Sequence, residues 1–398
     1  MRTIGLFLAV LFIPVLAGAE IGEVEGGTPA PSGCVTGIAF DGEYVWAADR
    51  KSDRIYRIDH QSGTVAGSFE GPGYFMTGLA FDGEYLWVSD IDFTDTSTES
   101  YTGKIYRVDP ASGMTVGVIN PPSPDPAGLA FDGEYLWVSD SGEKNITCIS
   151  PEDGTTIISF RSPARDPRGL AWDGKYLWVA DRSEDELYRV DPESGRVIMI
   201  LHSPGPYPWG LAWGRERLLS ADYQEDIIST IAVFGDRKYT RSKQRHAMVE
   251  FTHDIINFGP GTVKDLMVYL AVPTDRASQE IIDISYGAEP DDIKKDRYGQ
   301  RAALFHGKEL PAQGRFASIM KVEAKIYDVA YHLFPEKVGG LDDIPSGIRS
   351  RFLQDDDKYR LEDVAIQEAV SEAVGGEKNP YWIARNIFDY LRDRLFYK

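Results

Sequence analysis

Five aspartates recur at one position of an internal repeat: Asp49, Asp90, Asp140, Asp181 and Asp222. Carboxylates arranged in a ring could converge on an axis, and a hard cation such as calcium takes oxygen ligands. The competing chemistry is local, because an aspartate at a strand end accepts hydrogen bonds from the backbone N–H groups of the turn that follows. The second role is the expected one, with no metal or other cofactor. Asp90, Asp92 and Asp95 form a tighter acidic group inside an insert peculiar to the second repeat. They are candidate ligand contacts. Tyr74, Phe75, Tyr207 and Trp209 join them, from Pro-rich segments that lead into the next repeat.

Nucleophile–base chemistry has little to work with. Cys34 and Cys148 are the two cysteines, and neither has a histidine near it in sequence. Both read as buried, inert thiols placed too far apart to pair. His60 and His202 are the histidines of the repeat region, at positions away from the aromatic loops. No catalytic residue is expected in this chain.

These side chains are positioned by five copies of a motif of the form Gly-Leu-Ala-Phe-Asp-Gly-Glu-Tyr-Leu-Trp-Val-Ser-Asp. The repeat glycines are Gly37, Gly78, Gly128, Gly169 and Gly210, at spacings of 41, 50, 41 and 41 residues. A period near 40 built from four short strands points to a β-propeller. Strand a ends before Asp-Gly in four copies, an expected two-residue hairpin turn needing positive φ. Strand b ends at the repeat aspartate, strand c reads Ile-Tyr-Arg-Val-Asp, and strand d runs into the Pro-rich return. The fifth copy lacks a strand d after Val233. Ile21–Gly27, ahead of the first copy, is the expected substitute, and pairing it there closes a five-bladed ring and removes a bare edge. This topology puts the b–c and d–a loops on one face, with the insert Ile91–Gly103. That loop face is the expected binding face.

The chain of 398 residues carries 62 acidic against 42 basic residues, a net charge of -20. That balance disfavours nucleic acid, which needs a basic face. Residues 1–19 read as a signal peptide, with Arg2, an apolar run from Ile4 to Leu16 and Ala17-Gly18-Ala19 for cleavage. The expectation is a secreted, periplasmic or cell-surface protein without a transmembrane segment once cleaved. Asn145-Ile146-Thr147 is a glycosylation sequon.

Beyond the propeller at 20–236, residues 238–338 show alternating runs such as Ala247–Asp254, Asp265–Val272 and Ser318–Tyr327. They read as an antiparallel β-sandwich. Residues 341–398 switch to helical periodicity over Leu361–Val374 and again after Asn379-Pro380.

Two resemblances follow from these residues. The order Val268–Pro273, Asp296-Arg297-Tyr298-Gly299-Gln300, then Asn379-Pro380-Tyr381-Trp382-Ile383-Ala384-Arg385 and Ile387-Phe388-Asp389-Tyr390-Leu391 resembles the N-terminal flank of the transglutaminase-like superfamily. That implies acyl-transfer or peptidase chemistry by Cys, His and Asp in a domain after the helix, and this chain has no cysteine after Cys148. The implied role is the N-terminal part of such a protein, with the propeller recognising a protein or glycan. A non-catalytic binding or scaffold protein is the alternative. The repeats also resemble extracytoplasmic propellers such as glutamine cyclotransferases and streptogramin lyase-like proteins, which implies a second alternative, a propeller enzyme.

Overall fold

The computed structural model describes residues 19–92, 102–353 and 360–395. Residues 1–18 of the signal segment, and Asp95, lie outside them. The chain is mainly β and divides into two units, Met1–Arg237 and Lys238–Lys398.

In the first unit the described residues form five four-stranded antiparallel sheets. Four follow chain order, spanning Val35–Glu70, Met76–Ile119, Pro126–Arg161 and Pro167–His202. The fifth combines Pro208–Gly214, Arg217–Asp222 and Ile227–Ala232 with the early strand Val24–Pro29, which pairs Val24 with Ile231 and Pro29 with Ile227. The early strand thus takes the bare edge, slightly later in sequence than Ile21–Gly27.

The repeat glycines explain why five sheets meet in a ring. A Cβ on Gly37 would lie 2.7 Å from Gly78, one on Gly78 2.4 Å from the Ala127 carbonyl, and one on Gly128 2.2 Å from the Arg168 carbonyl. The series continues from Gly169 to Trp209, at 2.3 Å, and returns from Gly210 to Ile38, at 3.0 Å. Each inner strand therefore touches the next backbone to backbone, and the last touches the first. The arrangement is propeller-like. Between sheets, apolar residues such as Trp87, Ile105, Leu136 and Val138 are buried together, and that burial is the main stabilising term.

One turn differs from expectation. Phe40 pairs with Val45, so the chain crosses in four residues rather than two. Asp41 uses one carboxylate oxygen for the Tyr44 N–H (2.6 Å) and the other for Trp46 Nε1 (2.7 Å), and Gly42 supplies φ 104°. The fifth repeat has the two-residue turn instead, with Arg215 and Glu216 both at positive φ.

In the second unit, two three-stranded antiparallel sheets share one apolar core. Tyr239–Ile256, Arg315–Tyr331 and Gln279–Tyr286 form one sheet; Val263–Val272, Arg301–Leu310 and Asp292–Lys295 form the other. Val268, Leu270 and Phe305 from the second meet Met320 and Val322 from the first. Three α-helices follow among the described residues: α1 (Ser346–Phe352), α2 (Val364–Val374) and α3 (Pro380–Arg394). Asp363 caps α2 and Asn379 caps α3, each through its side chain, with Pro380 at the first helical position of α3. The first of these helices has no counterpart in the expected pattern. No helix among the described residues is long and apolar enough to cross a membrane.

Candidate functional site

The loop face is built on a frame that is the same in all five repeats. Each repeat aspartate is buried, from 0% exposed for Asp49 to 5% for Asp222. Asp49 accepts from the Cys34 and Ser52 N–H groups (3.0 and 2.7 Å), and Asp90 from Phe75 N–H (2.7 Å). Asp181 accepts from Arg165 and Asp166 (2.7 and 3.2 Å), and Asp222 from Tyr207 and Gln224 (both 2.8 Å). Asp49, Asp140, Asp181 and Asp222 are clips that tie the b–c turn to the start of strand a, and Asp90 holds the start of its strand a at Phe75. No cluster of three or more metal-ligating side chains occurs among the described residues.

A second clip runs beside the first. The residue after each aspartate donates its backbone N–H to the residue before strand a: Arg50 to Cys34, Ile91 to Phe75, Ser141 to Asp125, Arg182 to Asp166 and Tyr223 to Tyr207. Next to it, every inner strand bulges ahead of or at the repeat glycine, as register shifts after Val35, Met76, Pro126, Pro167 and Pro208 show. A bulge leaves one residue outside the ladder and re-aims its side chain. The residues before the repeat glycines are Thr36, Thr77, Ala127, Arg168 and Trp209.

The frame is uniform, but the side chains it presents are not. Thr36 and Thr77 close on their neighbours, each hydroxyl donating at 2.6 Å to the carbonyl of Met76 or Pro126. The fourth and fifth repeats instead present an arginine and a tryptophan. The Arg168 guanidinium lies 4.5 Å from the Trp209 ring centre and Arg182 lies 5.0 Å from it. Tyr223 packs on the same tryptophan at 4.8 Å with ring planes 32° apart. Asp166 holds both arginines, at 2.9 Å to Arg168 and 2.6 Å to Arg182. Asp125 accepts from Ser141 Oγ at 2.8 Å and its charge also acts on Arg168. Burial pulls Arg168 below the usual guanidinium range, opposed by Asp166, and it remains a cation at neutral pH.

The cluster continues into the first and second repeats. Cys34 donates its S–H to the Tyr223 hydroxyl oxygen at 3.7 Å. Arg50 stacks on Phe75, 3.9 Å from the ring centre.

The expected site residues divide accordingly. Phe75 and Trp209 lie in this cluster, with Trp209 only 4% exposed. Tyr74 (76%) and Tyr207 (40%) stand exposed at its margin. Asp90 is a buried clip, as are its four counterparts. Asp92 pairs with Thr102 and lengthens the second hairpin, while Asp95 lies outside the described residues. Cys34 is less buried than expected: it is intermediate in exposure, with its thiol 3.7 Å from the Tyr223 hydroxyl. Cys148 is buried as expected, and burial, aided by Asp132 and Glu134, pushes its thiol up to about 12. Sequence reasoning missed Arg50, Asp166, Arg168, Arg182 and Tyr223. Their signal was available in the repeat alignment, where chemically divergent positions flank the uniform glycine and aspartate. The sequon is held in a strand: Thr147 is 6% exposed and its hydroxyl lies 2.9 Å from Ser159 Oγ.

The opposite end of the inner strands is different in kind. An axial cavity of about 70 Å³ there is lined by the last residues of each inner strand, from Ile38–Phe40 round to Leu211–Trp213. Its lining is nearly identical from repeat to repeat, so it offers little to select one ligand orientation.

No family model matches the chain, and no curated protein matches it. Among solved structures it is similar to the glutaminyl cyclase of Myxococcus xanthus, at 13% identity and a TM-score of 0.45, over 52% of this chain and 94% of that one. It is also similar to a chain of a nidogen/laminin complex, at 18% identity and a TM-score of 0.38, over 50% and 76% of the two chains.

Proposed function

We propose that the first unit is a five-bladed β-propeller serving as the binding module of an extracytoplasmic protein, with its loop face as the contact surface for a protein or glycan. The observation that carries this reading is the contrast inside one frame. Identical clips and bulges in five repeats present Thr, Thr, Ala, Arg and Trp. A ring built only for stability has no use for an arginine–aromatic cluster whose edge, at Arg50, Arg182 and Tyr223, is partly exposed at one end. The cluster lacks an acid–base pair free to turn over, because Asp166 is held by two arginines, so binding fits it better than catalysis. The test is a combined glycan and peptide array probed with the full chain. Binding lost in Trp209→Ala, with the fold intact by circular dichroism, supports the reading; hits indifferent to Trp209→Ala and Tyr223→Ala refute it.

A second reading concerns the second unit, as the β-sandwich and entry helices of a transglutaminase-like protein whose chemistry resides in a further domain. It is favoured by the apolar surface of the helices: Val364, Phe388 and Leu395 are 70%, 59% and 69% exposed, a large amount of apolar surface for helices of this length. Under this reading the coding sequence beyond Lys398 supplies a Gly-x-Cys segment and a later histidine. Sequencing the transcript tests it, and an unrelated downstream gene refutes it.

A further inference from the structure

We propose that the loop face receives a single carboxylate, carried by an otherwise uncharged ligand, between Arg50 and Arg182 and over the Tyr223 hydroxyl. This rests on the reading of the loop face as the binding face and names the group it recognises.

Three donors converge on this place. Arg50 is half-buried and stacked on Phe75, and its guanidinium has no carboxylate or carbonyl partner among the described residues. Arg182 binds Asp166 through Nε and Nη2 at 2.6 Å, which leaves Nη1 without an acceptor among the described residues, and its side chain is 35% exposed. The Tyr223 oxygen accepts from Cys34, so its own hydrogen is available to donate. The Tyr223 ring and the Arg182 guanidinium pack on the same Trp209, at 4.8 and 5.0 Å, and Cys34, whose thiol meets the Tyr223 hydroxyl, holds the Arg50 backbone N–H through its carbonyl, so the three donors share one patch. Stacked guanidiniums with fixed planes suit the two oxygens of a carboxylate.

The surrounding charge favours a single carboxylate. The buried carboxylates Asp49, Asp181 and Asp222 belong to the same loop-face frame as these arginines, and the chain carries a net -20, a field that repels a polyanion while one localised carboxylate is held at short range by the guanidinium N–H donors. Behind the accessible donors, Trp209 Nε1 and Arg168 Nε are buried without an acceptor. The rest of the cluster is aromatic, with Tyr74 and Tyr207 exposed at the rim, and offers uncharged surface to the remainder of the ligand.

A free peptide C-terminus and a small carboxylic acid share this chemistry, so the experiment uses both. Isothermal titration of the full chain is run against N-acetyl-tyrosine, an uncharged hexapeptide library with free C-termini, the same two probes as C-terminal amides, and polygalacturonate. The expected result is binding of a free-acid probe that falls about tenfold or more on amidation, and equally in Arg50→Met or Arg182→Met. Hexapeptide binding without N-acetyl-tyrosine binding assigns the carboxylate to a chain terminus, and the reverse assigns it to a small molecule; both uphold the proposal. Amides binding as well as acids, polygalacturonate binding best, or no free acid binding at 1 mM (a concentration set on the order of a weak Kd) overturns it. If array partners still depend on Trp209 while amidation changes nothing, the carboxylate is wrong and the loop-face reading stands. Equal melting temperatures for the arginine variants and the parent chain exclude misfolding as the cause of lost binding.

Discussion

The two ends of the inner strands are made from the same repeats and do opposite things. At the turn end, Asp41, Asp82, Asp132 and Asp173 each take the N–H of the following Tyr and the Nε1 of the following Trp. Arg57 and Arg107 lie over the tyrosine rings of their own repeats, at 4.8 and 4.2 Å, and Arg189 pairs with Asp173 at 2.7 Å. In these four copies the aspartate, tyrosine and tryptophan are constant, and each set holds its own repeat. At the loop end, buried aspartates hold the frame just as strictly, but the side chains displayed on it change from Cys34 and Arg50 through Ala127 to Arg168 and Trp209. A repeat that holds itself together with fixed positions leaves the others free to serve a ligand.

That contrast can be broken most forcefully at the ring itself. Gly128→Ala would put a Cβ 2.2 Å from the Arg168 carbonyl and 2.7 Å from Gly169 Cα, backbone atoms that cannot retreat alone. Urea unfolding should show a loss of about 3 kcal/mol or more. Gly67→Ala, whose nearest neighbour would be the far end of Arg57 at 3.9 Å, should change stability by less than about 0.5 kcal/mol. Equal effects would mean that the inner strands do not touch as described.

The clips come next. Asp181→Ala strips the acceptor from the N–H groups of Arg165, Asp166 and Ser183 and should cost about 2–3 kcal/mol by the same measurement. The display position Arg182→Met should cost less than about 1 kcal/mol, since its ion pair is partly exposed. Similar losses in the two variants would erase the distinction between frame and display.

The smallest effects separate the cysteines. Iodoacetamide at pH 8 should label Cys34 in the native chain and spare Cys148, read by peptide mass spectrometry. Cys148 also makes a pH prediction. Its folded-state thiol is raised from 9.0 to about 12, so in that window the unfolded chain has lost a proton that the folded chain keeps. Its contribution to stability is complete below pH 9 and is lost as pH rises toward 12. Alkaline unfolding should shift to higher pH in Cys148→Ala relative to its stability at pH 7; an unchanged profile would contradict this.

Much of the fold was legible because repetition exposes it. Near-regular spacing of five glycines, broken by one insert, pointed to the sheets, and the missing last strand pointed to its replacement near Val24. The four-residue turn was not legible, since Asp-Gly reads as a tight hairpin unless the tryptophan Nε1 competing for the aspartate is foreseen. The site was half legible. Phe75 and Trp209 stood out as aromatics in Pro-rich loops, whereas Arg168 and Arg182 look like ordinary surface arginines in sequence. They become a site only because a bulge turns Arg168 out of the ladder and closure brings the fourth repeat, through the fifth, to the first. In the second unit the capped helix at Asn379 was readable from local rules, and α1, with neither a side-chain cap nor a buried residue, was not.

The central claim, that the loop face and not the turn face meets the ligand, is tested most directly by one paired array measurement. The full chain, an Arg50→Met/Arg182→Met variant and a Glu84→Ala/Glu134→Ala variant at the turn face are compared on the same glycan and peptide array. The account predicts that the loop-face variant loses the parent's hits and the turn-face variant keeps them. Hits that survive the loop-face changes and vanish with the turn-face ones would contradict it.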